Sequence, residues 1–257
     1  MAAQTFSLAN RLRAGEIVHT GWCGLGAPIV AELIAREGFP AVSLDQQHGL
    51  YTMDSTAAGI AAIRLAGAAP LVRVPLGDFS VVSRVLDFGA EGVIAPMINT
   101  PEDARQFAAA AKYPPVGERS SGPLRALMLN GLELKTYIDQ ANDNIVTFAM
   151  IETRAALSNL EAILATPGID AVFVGPSDLS LALTDGKTLD PHSKEVNAAV
   201  DQIAAAAKKA GKIAAAYSAN ADRANELATR GYRFFAVASD MGFLRAGAGA
   251  TWKALRR

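Results

Sequence analysis

Eight short runs rich in Val, Ile, Ala and Phe recur along the chain, near residues 17–22, 41–45, 71–74, 92–96, 145–151, 171–174, 213–217 and 234–238. Interleaved with them are longer stretches whose apolar residues repeat with the helical period, at 28–36, 54–66, 79–88, 101–111, 155–165, 193–210, 220–229 and 240–255. The short runs are apolar throughout rather than alternating. Strands of that kind are buried on both faces, and a parallel sheet sheathed by helices buries them so. Eight strands, each followed by a helix, count out a (β/α)8 TIM barrel, and 257 residues is an ordinary length for one. A doubly wound open sheet is the alternative.

One interval is too long for this rhythm. Between Pro96 and Ile145 the usual helix is followed by YPPVGERSSGPLRALMLNG and a helical pattern around 132–140. Its prolines, glycines and serines predict a loop, and long loops inside compact domains commonly carry function. With no linker or composition shift, a single domain over 1–257 is expected. Hydrophobic residues make up 51% of the chain, enough for a large core, and the net charge of −1 offers no basic field to nucleic acid or an anionic membrane. The lone cysteine, Cys23, excludes an internal disulfide and a thiolate metal cluster. The stretch MAAQTFSLANRLRAGE lacks the apolar run of a secretion signal, so a cytoplasmic protein is expected.

In a parallel barrel the reactive groups lie where strands end. Those positions hold Trp22, Asp45 with His48, Arg73, Pro96, Glu152, Asp178 and Tyr217. Burying charge there costs several kcal/mol unless it is paired or binds a metal. Glu152 and Asp178 are 26 residues apart. One βα unit of that length returns the chain to the same end of the next strand, which would bring the two carboxylates to about 5 Å. Such a pair suits Mg²⁺ or Mn²⁺, which fills its remaining positions with water and substrate. Either acid alone reads as a helix cap instead.

His48 has two readings as well. It is a loop histidine, or it is a base whose second ring nitrogen is held by Asp45 three residues earlier. His19 and His192 read as structural. Arg73 interrupts an apolar strand, where a guanidinium facing a carboxylate or enolate oxygen has a purpose that packing does not supply. None of the eight lysines falls at a strand exit, so imine chemistry lacks its nucleophile. Gly24–Gly26 and Gly247–Gly249 are weak candidates for a phosphate-binding loop.

Read in order, Asp45-Gln-Gln-His48-Gly49, Val72-Arg73-Val74-Pro75, Leu86-Asp87-Phe-Gly89-Ala90, Pro96-Met97, Tyr113-Pro-Pro-Val-Gly117-Glu-Arg119-Ser120, Ile151-Glu152-Thr153 and Val174-Gly175-Pro176-Ser-Asp178-Leu179-Ser180 form a set. The set resembles the metal-dependent pyruvate aldolases of the 4-hydroxy-2-oxoheptanedioate and 2-dehydro-3-deoxyglucarate aldolase family, over nearly the whole chain. The resemblance implies a barrel of the phosphoenolpyruvate/pyruvate type, assembled as homohexamers (trimers of dimers). It implies reversible cleavage of a 4-hydroxy-2-oxo acid to pyruvate and an aldehyde. Glu152 and Asp178 would hold Mg²⁺, Mn²⁺ or Co²⁺, and Arg73 would steady the pyruvate enolate. His48 with Asp45 would act as acid and base through a metal-held water. The backbone N–H groups of Ser177 and Asp178 would bind the pyruvate carboxylate, as helix starts bind anions.

On its own barrel Asp87, at the end of a helix, reads as a solvated helix end. The family places this aspartate at a subunit contact, where it reaches a neighbour's active site, and the C-terminal helix is expected at an interface too. Two positions depart from the family: Gln47 stands where it usually has Glu, and Met150 where the heptanedioate enzyme has Gln. Neither removes a metal ligand, and both bear on substrate choice. Two rivals keep the barrel. A citramalyl- or acyl-CoA-type lyase would want a basic groove, which a near-neutral chain argues against. A non-catalytic barrel that senses a 2-oxo acid would explain Gln47 and Met150 as marks of lost activity.

Overall fold

The computed structural model describes residues 7–255. A short helix, α1 (Ser7–Arg13), precedes β1 (Val18–Cys23). There follow α2 (Pro28–Arg36), β2 (Ala41–Asp45), α3 (Met53–Leu65), β3 (Ala69–Arg73), α4 (Ser80–Asp87) and β4 (Gly92–Ala95). The long interval holds α5 (Pro101–Ala111), α6 (Leu124–Asn130) and α7 (Leu134–Asn144) before β5 (Val146–Ile151). Then come α8 (Arg154–Ser158), α9 (Leu160–Ala165), β6 (Ala171–Val174), α10 (Pro176–Leu183) and α11 (Lys194–Lys209). The chain finishes with β7 (Ile213–Ser218), α12 (Ala221–Thr229), β8 (Phe234–Val237) and α13 (Asp240–Leu255).

All eight strands pair in parallel in chain order, and β8 closes on β1. This is the (β/α)8 barrel, and the open sheet is excluded. Alternation along each strand sorts the apolar residues into two cores. Outward-facing side chains such as Val42, Val72, Val93 and Val172 pack under the helices. Inward-facing ones such as Leu71, Ile94, Phe148, Phe173 and Phe234 fill the barrel. Leu8, Ala9 and Leu12 of α1 join the inner core and plug the bottom, where the strands begin. Glu91, just before β4, fixes that plug by accepting from the Leu8 N–H at 2.9 Å and the Ser7 hydroxyl at 3.2 Å.

Local sequence explains the helix starts. Thr52 and Thr100 each accept from the backbone three residues on, in reciprocal capping boxes with Ser55 and Asp103. Pro28, Pro101 and Pro176 occupy first turns, where a missing N–H costs nothing. Three expectations need correction. The third strand starts at Ala69, two residues early, because Pro70 is tolerated at a strand's beginning. The second half of the loop 113–131 is helical: α6 occupies Leu124–Asn130 and ends on left-handed Gly131. The helix at 155–165 is two short ones, parted at Asn159, whose side chain donates to the Asn99 carbonyl. The expected strands at 41–45 and 171–174 and helices at 28–36, 101–111 and 240–255 match the structure residue for residue.

Candidate active site

At the top of the barrel, where strands end, lies a cavity of about 310 Å³. Arg73, Glu152, Ser177 and Asp178 line it, together with Trp22, Tyr217, Phe173 and Met150 and the Gly175–Pro176 turn. The register between β2 and β3 sets Asp45 directly beside Arg73. The two form a forked ion pair, with Arg73 Nε donating to Oδ1 at 2.9 Å and Nη2 to Oδ2 at 2.6 Å. Trp22 Nε1 also donates to Asp45 at 3.3 Å, and the guanidinium lies 4.9 Å from the Trp22 ring. Burial raises the Asp45 carboxyl, but Arg73 and the N–H groups of His48 and Gln47 outweigh it and hold the group below its usual range. Arg73 is therefore fixed in direction, with one face of its charge left to the cavity.

β5 and β6 are neighbours, with Ile151 paired to Val174, so Glu152 and the turn leading to Asp178 emerge side by side. Glu152 is 1% exposed and its carboxylate accepts a hydrogen bond from the Met97 N–H at 3.0 Å. Met97 adopts a left-handed backbone (φ 53°), a costly conformation for a residue with a side chain, and one that accompanies the turn of its N–H onto this acid. Burial pushes the Glu152 carboxyl up; the Met97 N–H opposes this, the Asp178 charge adds to it, and the result is about 7. Gly175 is required beside it, since a Cβ there would stand 2.0 Å from Glu152 Oε1. A side chain at this position would push the acid aside.

Two adjacent carboxylates, one of them raised by burial and further by the charge of the other, fit a hard divalent cation that keeps water and substrate as its other ligands. Among the described residues no cluster of three or more Asp, Glu, His or Cys could hold a metal by itself. Beside the pair, α10 begins, and the first-turn N–H groups of Ser177 and Asp178 have no partner within the helix. That turn faces the cavity and suits a carboxylate.

The structure gathers Arg73, Glu152, Ser177 and Asp178, and it corrects three details. Asp45 does not hold the His48 imidazole. Its oxygens are taken by Arg73, Trp22 and the backbone N–H groups of Gln47 (3.0 Å) and His48 (3.3 Å), so it fixes the loop and not the ring. The His48 side chain stands exposed beyond the cavity lining. Asp87 is not an idle helix end: it accepts from the buried Arg119 at 2.6 Å, whose guanidinium lies 4.7 Å from the Tyr113 ring. It stands five residues before β4, toward the bottom of its own barrel. The glycine turn at Gly24–Gly26 binds no phosphate in this arrangement, because Asp240 fills it. The sequence motifs include Met97 and Gly175 without assigning them a role, which the strained backbone of the first and the close approach at the second supply, and Phe173 carried no signal beyond its place in an apolar strand.

Known proteins share this fold and much of this sequence. Residues 20–246 match the HpcH/HpaI aldolase/citrate lyase family. A hydroxypyruvate/pyruvate aldolase from Rhizorhabdus wittichii is 39% identical over 234 residues, covering 91% of this chain and 92% of that protein. A 4-hydroxy-2-oxo-heptane-1,7-dioate aldolase from Salmonella heidelberg is 35% identical over 241 residues, covering 94% and 91%. The crystal structure of an HpcH/HpaI aldolase/citrate lyase family protein from Burkholderia cenocepacia superposes with a TM-score of 0.89 at 30% identity, over 98% of this chain and all of that one. Barrel, paired carboxylates and full-length similarity together make this chain a carbon–carbon lyase that belongs to the HpcH/HpaI aldolase/citrate lyase family.

Proposed function

We propose that this lyase is a class II aldolase that cleaves a 4-hydroxy-2-oxo acid reversibly to pyruvate and an aldehyde, with a divalent cation held by Glu152 and Asp178. The observation that carries the reading is the raised, nearly unpartnered Glu152 beside Asp178 on the wall of the same cavity as Arg73. When bound, Mg²⁺, Mn²⁺ or Co²⁺ supplies Lewis-acid stabilisation of enolate charge. The N–H groups of Ser177 and Asp178 orient the substrate carboxylate. Arg73, held rigid by Asp45 and Trp22, adds hydrogen-bonded positive charge where the enolate oxygen forms. His48, exposed beyond the cavity lining, would take the proton of the 4-hydroxyl through an intervening water; the C3–C4 bond then breaks, the aldehyde leaves, and a proton returned to C3 completes pyruvate. Trp22, Phe173, Met150 and Tyr217 wall the cavity with rings and a thioether, which limits water beside the enolate.

The cavity lining favours the aldolase over the coenzyme A alternative. Among the described residues Arg73 is the one cation lining the cavity, and it is already paired with Asp45. No helix among the described residues is long and apolar enough to cross a membrane, and a cytoplasmic location belongs to this reading together with the free thiol of Cys23.

The same reading includes a homohexamer. Of the sixteen residues of α13 only Asp240 is buried, and Leu244, Trp252 and Leu255 stand more than half exposed. A second copy covering that helix, and Asp87 serving a neighbour's site, would put both to use. The test is pyruvate release from a panel of 4-hydroxy-2-oxo acids with and without chelator. Metal-dependent release, with no borohydride-trapped adduct on any lysine, supports the proposal; full turnover after chelation overturns it. Mixing Asp87→Asn with His48→Ala subunits should recover activity only if sites are shared, and no recovery despite proven exchange overturns the shared-site assembly.

A further inference from the structure

We infer that Asp240 is a positioning residue for the loop that carries His48, acting through the β1–α2 turn. The inference rests on the reading of His48 as the acid–base group. Asp240 opens α13 and is 3% exposed. Its Oδ1 accepts from the N–H of the next residue, Met241, at 2.8 Å. Its Oδ2 reaches 216 positions back along the chain and accepts from the N–H groups of Gly24 and Leu25, at 2.9 Å each. The concavity that resembled a phosphate loop is thus closed by the chain's own carboxylate.

The carbonyl of Gly24, held from behind in this way, accepts the Leu50 N–H at 2.8 Å. Leu50 lies two residues after His48. On the other side, the His48 N–H donates to Asp45 at 3.3 Å. The backbone at His48 is therefore suspended between two buried acids, Asp45 directly and Asp240 through Gly24. The docking is close: Gly26 has φ +71°, and a Cβ there would stand 2.6 Å from the Leu50 carbonyl oxygen. The imidazole itself has no hydrogen bond among the described residues, so the loop backbone sets where it is carried. Without Asp240, two amides lose their acceptor and the turn that seats Leu50 is free to move.

The test measures kcat, substrate KM and Mn²⁺ affinity in Asp240→Ala, Asp240→Asn, His48→Ala and the Asp240→Ala/His48→Ala double variant. Asp240→Ala should lower kcat by about 10- to 100-fold, the scale of an ångström-sized misplacement. KM and Mn²⁺ affinity should stay within about twofold, because Glu152, Asp178 and Arg73 do not touch this latch. Asp240→Asn should restore part of kcat, since one carbonyl oxygen can accept both amides. In the His48→Ala background Asp240→Ala should cost less than about twofold more, because the group it aims is gone. An unchanged kcat in Asp240→Ala, or the same loss in both backgrounds, overturns the inference. Should Asp240→Ala fail to fold, Gly26→Ala presses on the same docking from the other side. It must then lose kcat with Mn²⁺ binding intact, and wild-type kcat in that variant overturns the inference. Full turnover in His48→Ala overturns the acid–base reading, and this inference with it.

Discussion

The barrel buries charge at both ends, and the two ends treat it differently. At the bottom, Glu91 receives the Leu8 N–H, the Ser7 hydroxyl and the Arg64 guanidinium. Lys112, fully buried, donates to the Asn142 and Ile145 carbonyls and to Asp170, and so spends its three N–H donors. At the top, Glu152 is as buried as either but accepts one N–H, and Asp178 adds repulsion instead of relief. Burial of charge is thus no signal of function by itself. Unmet hydrogen-bonding capacity facing a cavity is. The bottom acids and bases hold α1 and the strand starts in place, whereas the top acids are poised for something the chain does not provide.

The comparison predicts opposite behaviour on substitution. Glu152→Ala should lose about 10⁴-fold or more in turnover, since Lewis-acid stabilisation and substrate positioning go together. Mn²⁺ binding should vanish while thermal stability holds or rises. Normal Mn²⁺ affinity in that variant would put the cation elsewhere and dissolve the contrast. His48→Ala should lose about 10²–10⁴-fold in kcat, the usual range for a general acid–base, with KM nearly unchanged. Near-normal turnover would return His48 to a plain loop histidine.

At the bottom the sign of the effect reverses. Lys112→Met leaves Asp170 and two carbonyls without their cation, and breaking a buried pair of this kind costs about 3–5 kcal/mol. Asp170 is one-third exposed and keeps the Thr147 N–H and hydroxyl, so the lower end of that range is expected. Urea unfolding should show the loss, and kcat per folded site should be that of the wild type. A stable but slow variant would mean that the bottom network reaches the chemistry.

Much of the top was legible because strand exits are fixed by the apolar runs that precede them. Asp45 and Arg73 close such runs, Glu152 follows one directly and Asp178 lies four residues beyond one, and the βα repeat dictates which are neighbours. The direction of His48 was not legible. It depends on a loop seated by Asp240, and on an Asp45 carboxylate already filled by Arg73 and Trp22. The bottom was hidden for a related reason. Arg64, Glu91 and Lys112 look like ordinary helix-end and loop charges, and their partners lie 27 to 84 positions away in the chain. Pattern reading finds where a strand ends, whereas pairing across the barrel requires the closed structure.

The smallest expected effect is also the most specific to the contrast. In the metal-free protein Glu152 loses its proton near pH 7, against an ordinary 4.5 in the unfolded chain. Below pH 4.5 both states hold the proton and the group costs nothing. As pH rises from about 4.5 to about 7 the unfolded chain releases it while the folded one does not, so folding stability falls through that window and levels off above it. The gap is worth about 3 kcal/mol at most. Glu152→Gln keeps the shape and removes the titration, so with chelator present it should be more stable than the wild type at pH 8 and equal to it near pH 4. Adding Mn²⁺ at pH 8 should stabilise the wild type alone and close or reverse the difference. Parallel stability curves for the two proteins from pH 4 to 8 would show that the folded chain does not hold the Glu152 proton above its ordinary range, and the distinction between the two ends would fail at the residue on which it depends most.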